Sequence, residues 1–128
     1  MKIVSIIARI LLGLTFLIFG LNGFLNFMHG QIPGGEAGAF LGALIASHFV
    51  WFVSAVQVIA GVLLLVNQFV PLALALLAPV LYNILVFHIT MQPSGLPPGL
   101  VATILWLILV WRLREYFAPL LVQKAVEK

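Results

Sequence analysis

The chain is 128 residues long, 64% apolar and only 7% charged, with a formal net charge of +3 and a mean hydropathy of +1.26. A soluble domain carries about 25% charged residues, because a small body has a large surface to cover, and a disordered chain is one that lacks apolar surface to bury. Both classes are excluded, which leaves an integral membrane protein with several spans in one unit.

The basic residues form two groups, Lys2 and Arg9 at the start and Arg112, Arg114, Lys124 and Lys128 at the end. Glu36 is the only charged residue between Arg9 and Arg112, so no basic run of the kind that binds nucleic acid exists, and no nucleic-acid partner is expected. Lys and Arg are retained on the cytoplasmic side of membrane spans. Both termini are therefore expected in the cytoplasm, with an even number of crossings between them. Cysteine is absent, which removes disulfides, thiolate metal sites and any thiol relay within this chain.

The first predicted span runs from Ile10 to about Phe27, enough at 1.5 Å per residue to cross most of a hydrocarbon core of about 30 Å. It exceeds the roughly 7–15 apolar residues of a secretory signal and no A-x-A site follows, so a retained span is expected. Arg9 has two placements. Either the helix starts near Ile3 and Arg9 lies deep enough to need a partner, or the span starts at Ile10 and Arg9 snorkels to lipid phosphates. Asn22 and Asn26, at i and i+4, share a face near Gly20 and Gly23; this pattern favours close helix approach with an amide available across the interface.

Residues 28–38 read as a loop from their glycine and proline content. From Ala37 to Ser47, Phe40, Leu41, Leu44 and Ile45 form a bulky stripe opposite Gly38, Gly42 and Ala46, which predicts a helix too short to span, interfacial or re-entrant. The second span is expected over 49–66. Gln57 lies near its middle, with Ser54 and Gly61 on the same face.

Pro71 fits the first turn of a third helix, expected over 72–91. Pro79 removes a backbone donor and predicts a kink, with Tyr82 and Asn83 just beyond it. Asn83 and Gln57 come at similar depth, so the two amides either satisfy each other across the helices or line a polar pocket. The stretch 92–99, rich in proline and glycine, is the clearest break in the chain. The fourth span, about 97–113, begins inside it or continues past Arg112. Trp51 and Trp111 fall at opposite membrane interfaces, the expected aromatic belts.

These elements predict an all-α fold: a transmembrane four-helix bundle, one domain over residues 1–128, with the short helix between its first two spans. His29, His48 and His88 then share the extracytoplasmic face with Glu36. No chelating spacing links the histidines, and no metal site is expected. His88 stands apart because it sits within an apolar run. The chain has no aspartate, no P-loop and no nucleophile elbow, so autonomous hydrolytic chemistry is not expected and any chemistry would belong to a cofactor or a partner. The candidate polar pocket is His88, Asn83, Tyr82, Gln57, Asn22 and Arg9.

The opening ARILLGLTFLIFGLNGF (8–24), the GGEAG loop, AGVLLL from Ala60, PVLYNILVFH ending at His88, the following QPSGLP and the WRLREYF tail together resemble the DoxX-like family of small bacterial membrane proteins over nearly the whole chain. The resemblance implies a four-span bundle in the bacterial inner membrane. It also implies kinship with subunits of a thiosulfate:quinone oxidoreductase and with membrane partners of redox proteins. Its Arg and His positions fall on Arg9 and His88, while Gln57 stands where relatives often carry a glutamate.

Two functions follow. The first is a membrane subunit or scaffold without chemistry of its own, surrounded by the lipid bilayer and serving a redox partner protein or a homo-oligomer. The second is a quinone-interacting oxidoreductase subunit, with quinone as cofactor, His88 near its carbonyl, and Tyr82, Asn83, Gln57 and Phe87 lining the site. A transporter is disfavoured by the absence of an internal repeat and of a charged residue at the membrane midplane.

Overall fold

A continuous apolar segment can bury its own backbone polar groups in lipid by closing them into a helix, and the chain does this repeatedly. The computed structural model describes residues 1–26 and 33–127, and every regular element among them is helical. In chain order these are α1 (Lys2–Leu25), α2 (Gly35–Ala46), α3 (Phe49–Leu65), α4 (Val70–Thr90), a 3₁₀ turn (Pro93–Gly95), α5 (Leu96–Arg112), α6 (Arg114–Phe117) and a second 3₁₀ turn (Ala118–Leu121).

Three segments are long and apolar enough to cross a membrane: α1, α4, and α5 together with its preceding 3₁₀ turn. A fourth is reached if α2 and α3, bent 83° to each other, count as one span. The 17 residues of α3 measure about 25 Å, so most of a crossing is already in that helix. The outer surface has the composition lipid requires. Phe52 and Phe69 are 75% and 70% exposed, and such side chains recur along every long helix, a surface that would associate in water.

The helix boundaries have local causes. α1 begins at Lys2, well before Ile10, and ends at Asn26, whose left-handed backbone (φ 50°) donates its N–H to Asn22 O at 2.8 Å. Asparagine is one of the few residues that adopt this C-cap geometry readily, so Asn26 terminates the helix instead of extending a packing face with Asn22. α4 opens with Pro71 in its first turn and remains one helix across Pro79. α5 starts inside the proline segment, with Pro97 and Pro98 in its first turn, where a missing N–H costs nothing.

α1 packs on α3 and α5, and α4 packs on the same two helices, so the four long helices close into a ring of neighbours. Leu12 and Phe16 of α1, Leu64 of α3, Leu74 and Leu77 of α4 and Leu109 of α5 fill the centre.

The tightest seam is between α1 and α3. A Cβ on Gly61 would lie 2.7 Å from Leu17 N and 2.9 Å from Gly13 O, and a Cβ on Gly23 would lie 1.7 Å from Ser54 Oγ. Glycine is needed at both points because the helices touch backbone to backbone or backbone to hydroxyl. This is the small-residue packing that drives association in lipid, where helices gain no hydrophobic energy from leaving an apolar solvent.

Candidate functional site

The six residues expected to share one polar pocket are distributed over different faces and ends of the molecule. Gln57 lies half-buried in the α1–α3 seam, where its Cβ packs at the position a Cβ on Gly20 would approach to 3.0 Å. Asn22 is half-buried on α1. Asn83 is exposed, and its Nδ2 donates to Pro79 O of its own helix at 2.8 Å. Of the two arrangements expected for Gln57 and Asn83, the mutual bond is not formed: the Asn83 amide bonds a carbonyl one turn back on its own helix, the local alternative open to asparagine.

Tyr82, next to Asn83, is 64% exposed on the outside of α4. Tyr82 and Asn83 thus form a polar step on a surface that is otherwise aliphatic and aromatic. Pro79 is exposed on the same helix one turn earlier.

His88 belongs to the end of the molecule away from the chain termini. Its Nδ1 lies 3.2 Å from Gln92 O, and its ring meets the ring of Phe87 edge-on with centroids 5.1 Å apart. The ring also fills the space beside Gly95, where a Cβ would come within 2.6 Å of His88 Cε1. Phe87 in turn stacks at 5.5 Å on Phe40 of α2, which anchors the short helix to α4. At the same end His48, with a left-handed backbone (φ 64°) between α2 and α3, meets Trp51 edge-on at 4.5 Å. His29 lies outside the described residues. Among the described residues no group of three or more His, Asp or Glu side chains is placed to hold a metal.

Arg9 belongs to the opposite end. Its Nη1 donates to Leu64 O and, at 3.4 Å, to Leu65 O, the last carbonyls of α3. Of the two placements the sequence left open for Arg9, this is the one in which the helix starts before it and the guanidinium has a protein partner. A helix C-terminus has carbonyls without helical donors and a partial negative charge, and the guanidinium answers both. Arg9 lines a groove of about 590 Å³ with Lys2, Asn67 and Arg112; the other five predicted site residues are not among its walls.

Two further polar groups lie outside the six expected site residues: Ser54, already placed on the Gln57 face by its spacing, and Trp106, which the sequence did not mark. Ser54 is 3% exposed, the deepest polar side chain among the described residues. Trp106 of α5 donates its indole N–H to Leu74 O of α4 at 2.8 Å. Leu74 precedes Ala75, whose carbonyl loses its helical donor at Pro79, so the α4–α5 contact is polar where the proline disturbs the helix. A tryptophan within an apolar run carries no mark that separates a packed ring from a tethering one.

Comparison of the chain with protein-family models, with curated proteins and with solved structures gives no match.

Proposed function

We propose that the protein is a multi-pass inner-membrane subunit or scaffold, a four-span bundle with both termini in the cytoplasm, that serves a redox partner and performs no catalysis of its own. The observation that carries the interaction role is the exposed Tyr82–Asn83 step on α4. The exposed Tyr82 hydroxyl, and the part of the Asn83 amide that Pro79 O does not engage, are costly in hydrocarbon until a partner helix or a polar surface covers them. The redox character of the partner rests on the DoxX-like sequence resemblance alone.

The test is a photo-crosslinking residue in place of Tyr82, with Ile18 on the exposed face of α1 as the comparison position. The expected result is one defined protein adduct from position 82, a partner that co-purifies in mild detergent, and reduced membrane redox activity when Tyr82 and Asn83 are both replaced by leucine. Labelling of lipid alone from position 82, or redox activity indifferent to the double replacement, overturns the reading.

A second reading, a quinone-interacting oxidoreductase subunit, draws on the contiguous Phe40, Phe87 and His88 rings. An apolar, aromatic surround with one donor suits a quinone head. It narrows the earlier list, because Asn83 is engaged with Pro79 and Tyr82 faces outward. Quinone retained by purified protein and lost on His88→Ala supports it; lipid extracts free of quinone count against it.

A further inference from the structure

The groove at the end that carries both chain termini combines three features. Lys2 and Arg9 from α1 and Arg112 from the end of α5 bring three cations to its walls, and no acidic residue lines it. Ser5, Asn67 and Tyr116 add a hydroxyl, an amide and a phenol. Its floor includes Val70 and Leu109, both buried, and its flanks continue into the exposed apolar sides of α1 and α5.

We propose that this groove binds the phosphate of an acidic phospholipid, with the headgroup among the cations and the acyl chains along the apolar flanks. The inference depends on the chain lying in a membrane and is independent of the scaffold and quinone readings. Arg9 is pre-organised for the role. Its Nη1 is engaged by the α3 carbonyls, while a guanidinium has five N–H donors, so Nε and Nη2 remain for a phosphate oxygen at a fixed position. Lys2 and Arg112 are exposed and can close on the same oxygens from either side. Basic pockets between membrane helices hold acidic headgroups in this way.

The shape follows from two matching helical patterns. Lys2, Ser5 and Arg9 are spaced i, i+3, i+7 on α1, and Leu109, Arg112 and Tyr116 repeat that spacing across α5 and α6. The first set occupies one face of α1; the second crosses the break at Leu113 (φ −106°, ψ 22°), and all three of its residues still line the groove. The turn between α3 and α4, where Asn67 and Phe69 both have left-handed backbones (φ 56° and 51°), closes the third side.

The experiment uses the full chain in mild detergent and in lipid nanodiscs, with retained lipid read by native mass spectrometry during delipidation. Phosphatidylglycerol is compared with phosphatidylcholine, and Lys2→Gln/Arg112→Gln with Arg114→Gln, a cation outside the groove. These variants replace exposed side chains and leave the Arg9 anchor in place, and their folding is checked by circular dichroism.

The wild type is expected to keep phosphatidylglycerol preferentially. The double variant is expected to lose that preference by roughly 25-fold, at about fivefold per cation, and Arg114→Gln to retain it. Equal retention of the two lipids, or equal loss in Arg114→Gln and the double variant, overturns the site. A third arm titrates inorganic phosphate into delipidated protein. Saturable phosphate binding that depends on Lys2 and Arg112, without any preference between the lipids, assigns the groove to a soluble anion and overturns the lipid.

Discussion

The seam between α1 and α3 and the outer face of α4 both carry an amide in the middle of an apolar helix, yet they treat it oppositely. In the seam, Gln57 packs beside Gly20, in a contact tightened by Gly13, Gly23 and Gly61. On α4, Asn83 stands exposed and turns back to Pro79 O. Helix rotation is what differs, since α4 also meets a small residue, Gly99 of α5, beside Ile84 and Leu85. Gln57 is turned toward the glycines of α1 and enters the seam; Asn83 is turned to the exterior and bonds a carbonyl of its own helix. The seam thus holds the fold together, and the α4 face at Tyr82 and Asn83 stays exposed.

The largest effect is expected at Gly61. An alanine there meets Leu17 N at 2.7 Å, and backbone on a packed helix cannot step aside. Alanine gains about 1 kcal/mol of helix propensity over glycine, but overpacking costs 1–3 kcal/mol and sometimes more. A net loss of up to about 2 kcal/mol is expected for Gly61→Ala in denaturation from micelles. Unchanged stability would falsify the backbone contact.

Gly23→Ala tests the same seam at another point, where an added Cβ meets Ser54 Oγ at 1.7 Å and Ser54 Cβ at 2.8 Å. The hydroxyl can rotate but the Cβ moves only with the α3 backbone, so a net loss of about 1 kcal/mol or more is expected by the same assay. Unchanged stability at Gly23 beside a loss at Gly61 would mean that the seam loosens toward Ser54.

Trp106→Phe removes the indole tether to Leu74 O while keeping most of the ring. Interhelical hydrogen bonds in membranes average about 0.6 kcal/mol and reach about 1.7, so a loss of about 1 kcal/mol is expected, with α4 and α5 separating first in hydrogen exchange.

Asn83→Leu has the smallest expected effect on the isolated protein, within about 0.5 kcal/mol, as for other surface replacements away from packed features. Its consequence is expected instead in the partner complex, read as lost co-purification. A strong destabilisation of the isolated protein would show that Asn83 supports the fold and not the surface.

Much of the architecture was legible in the sequence because membranes constrain it so strongly. Long apolar runs must be helical in lipid, and Gly20 and Gly23 beside Asn22 on α1 pointed to a close helix approach. The short helix before α3 was equally plain from its bulky and small stripes. Helix starts were less legible. Lys2 to Arg9 looked like a flank because charge marks membrane boundaries, while the helical hydrogen bonds that extend α1 to Lys2 are indifferent to that boundary.

The candidate site was much less legible than the fold. Periodicity assigns Gln57 and Asn83 to helices at comparable positions but says nothing of how those helices are rotated about their axes. That rotation decided that one amide faces glycine and the other the exterior. Arg9 carried two readings for the same reason, since its carbonyl partners lie 55 and 56 residues away in the chain.

The scarcity of charge and the length of the apolar runs by themselves determined the membrane class, the helical character and the approximate order of the helices, because the cost of unpaired backbone in lipid leaves almost no alternative. Only the tertiary structure decided which polar groups meet. It alone joined Arg9 to the end of α3, Trp106 to Leu74, and Lys2 and Arg112 to one groove. Such meetings depend on helix rotation and close approach, which arise from packing between distant segments and leave no periodic trace in any one of them.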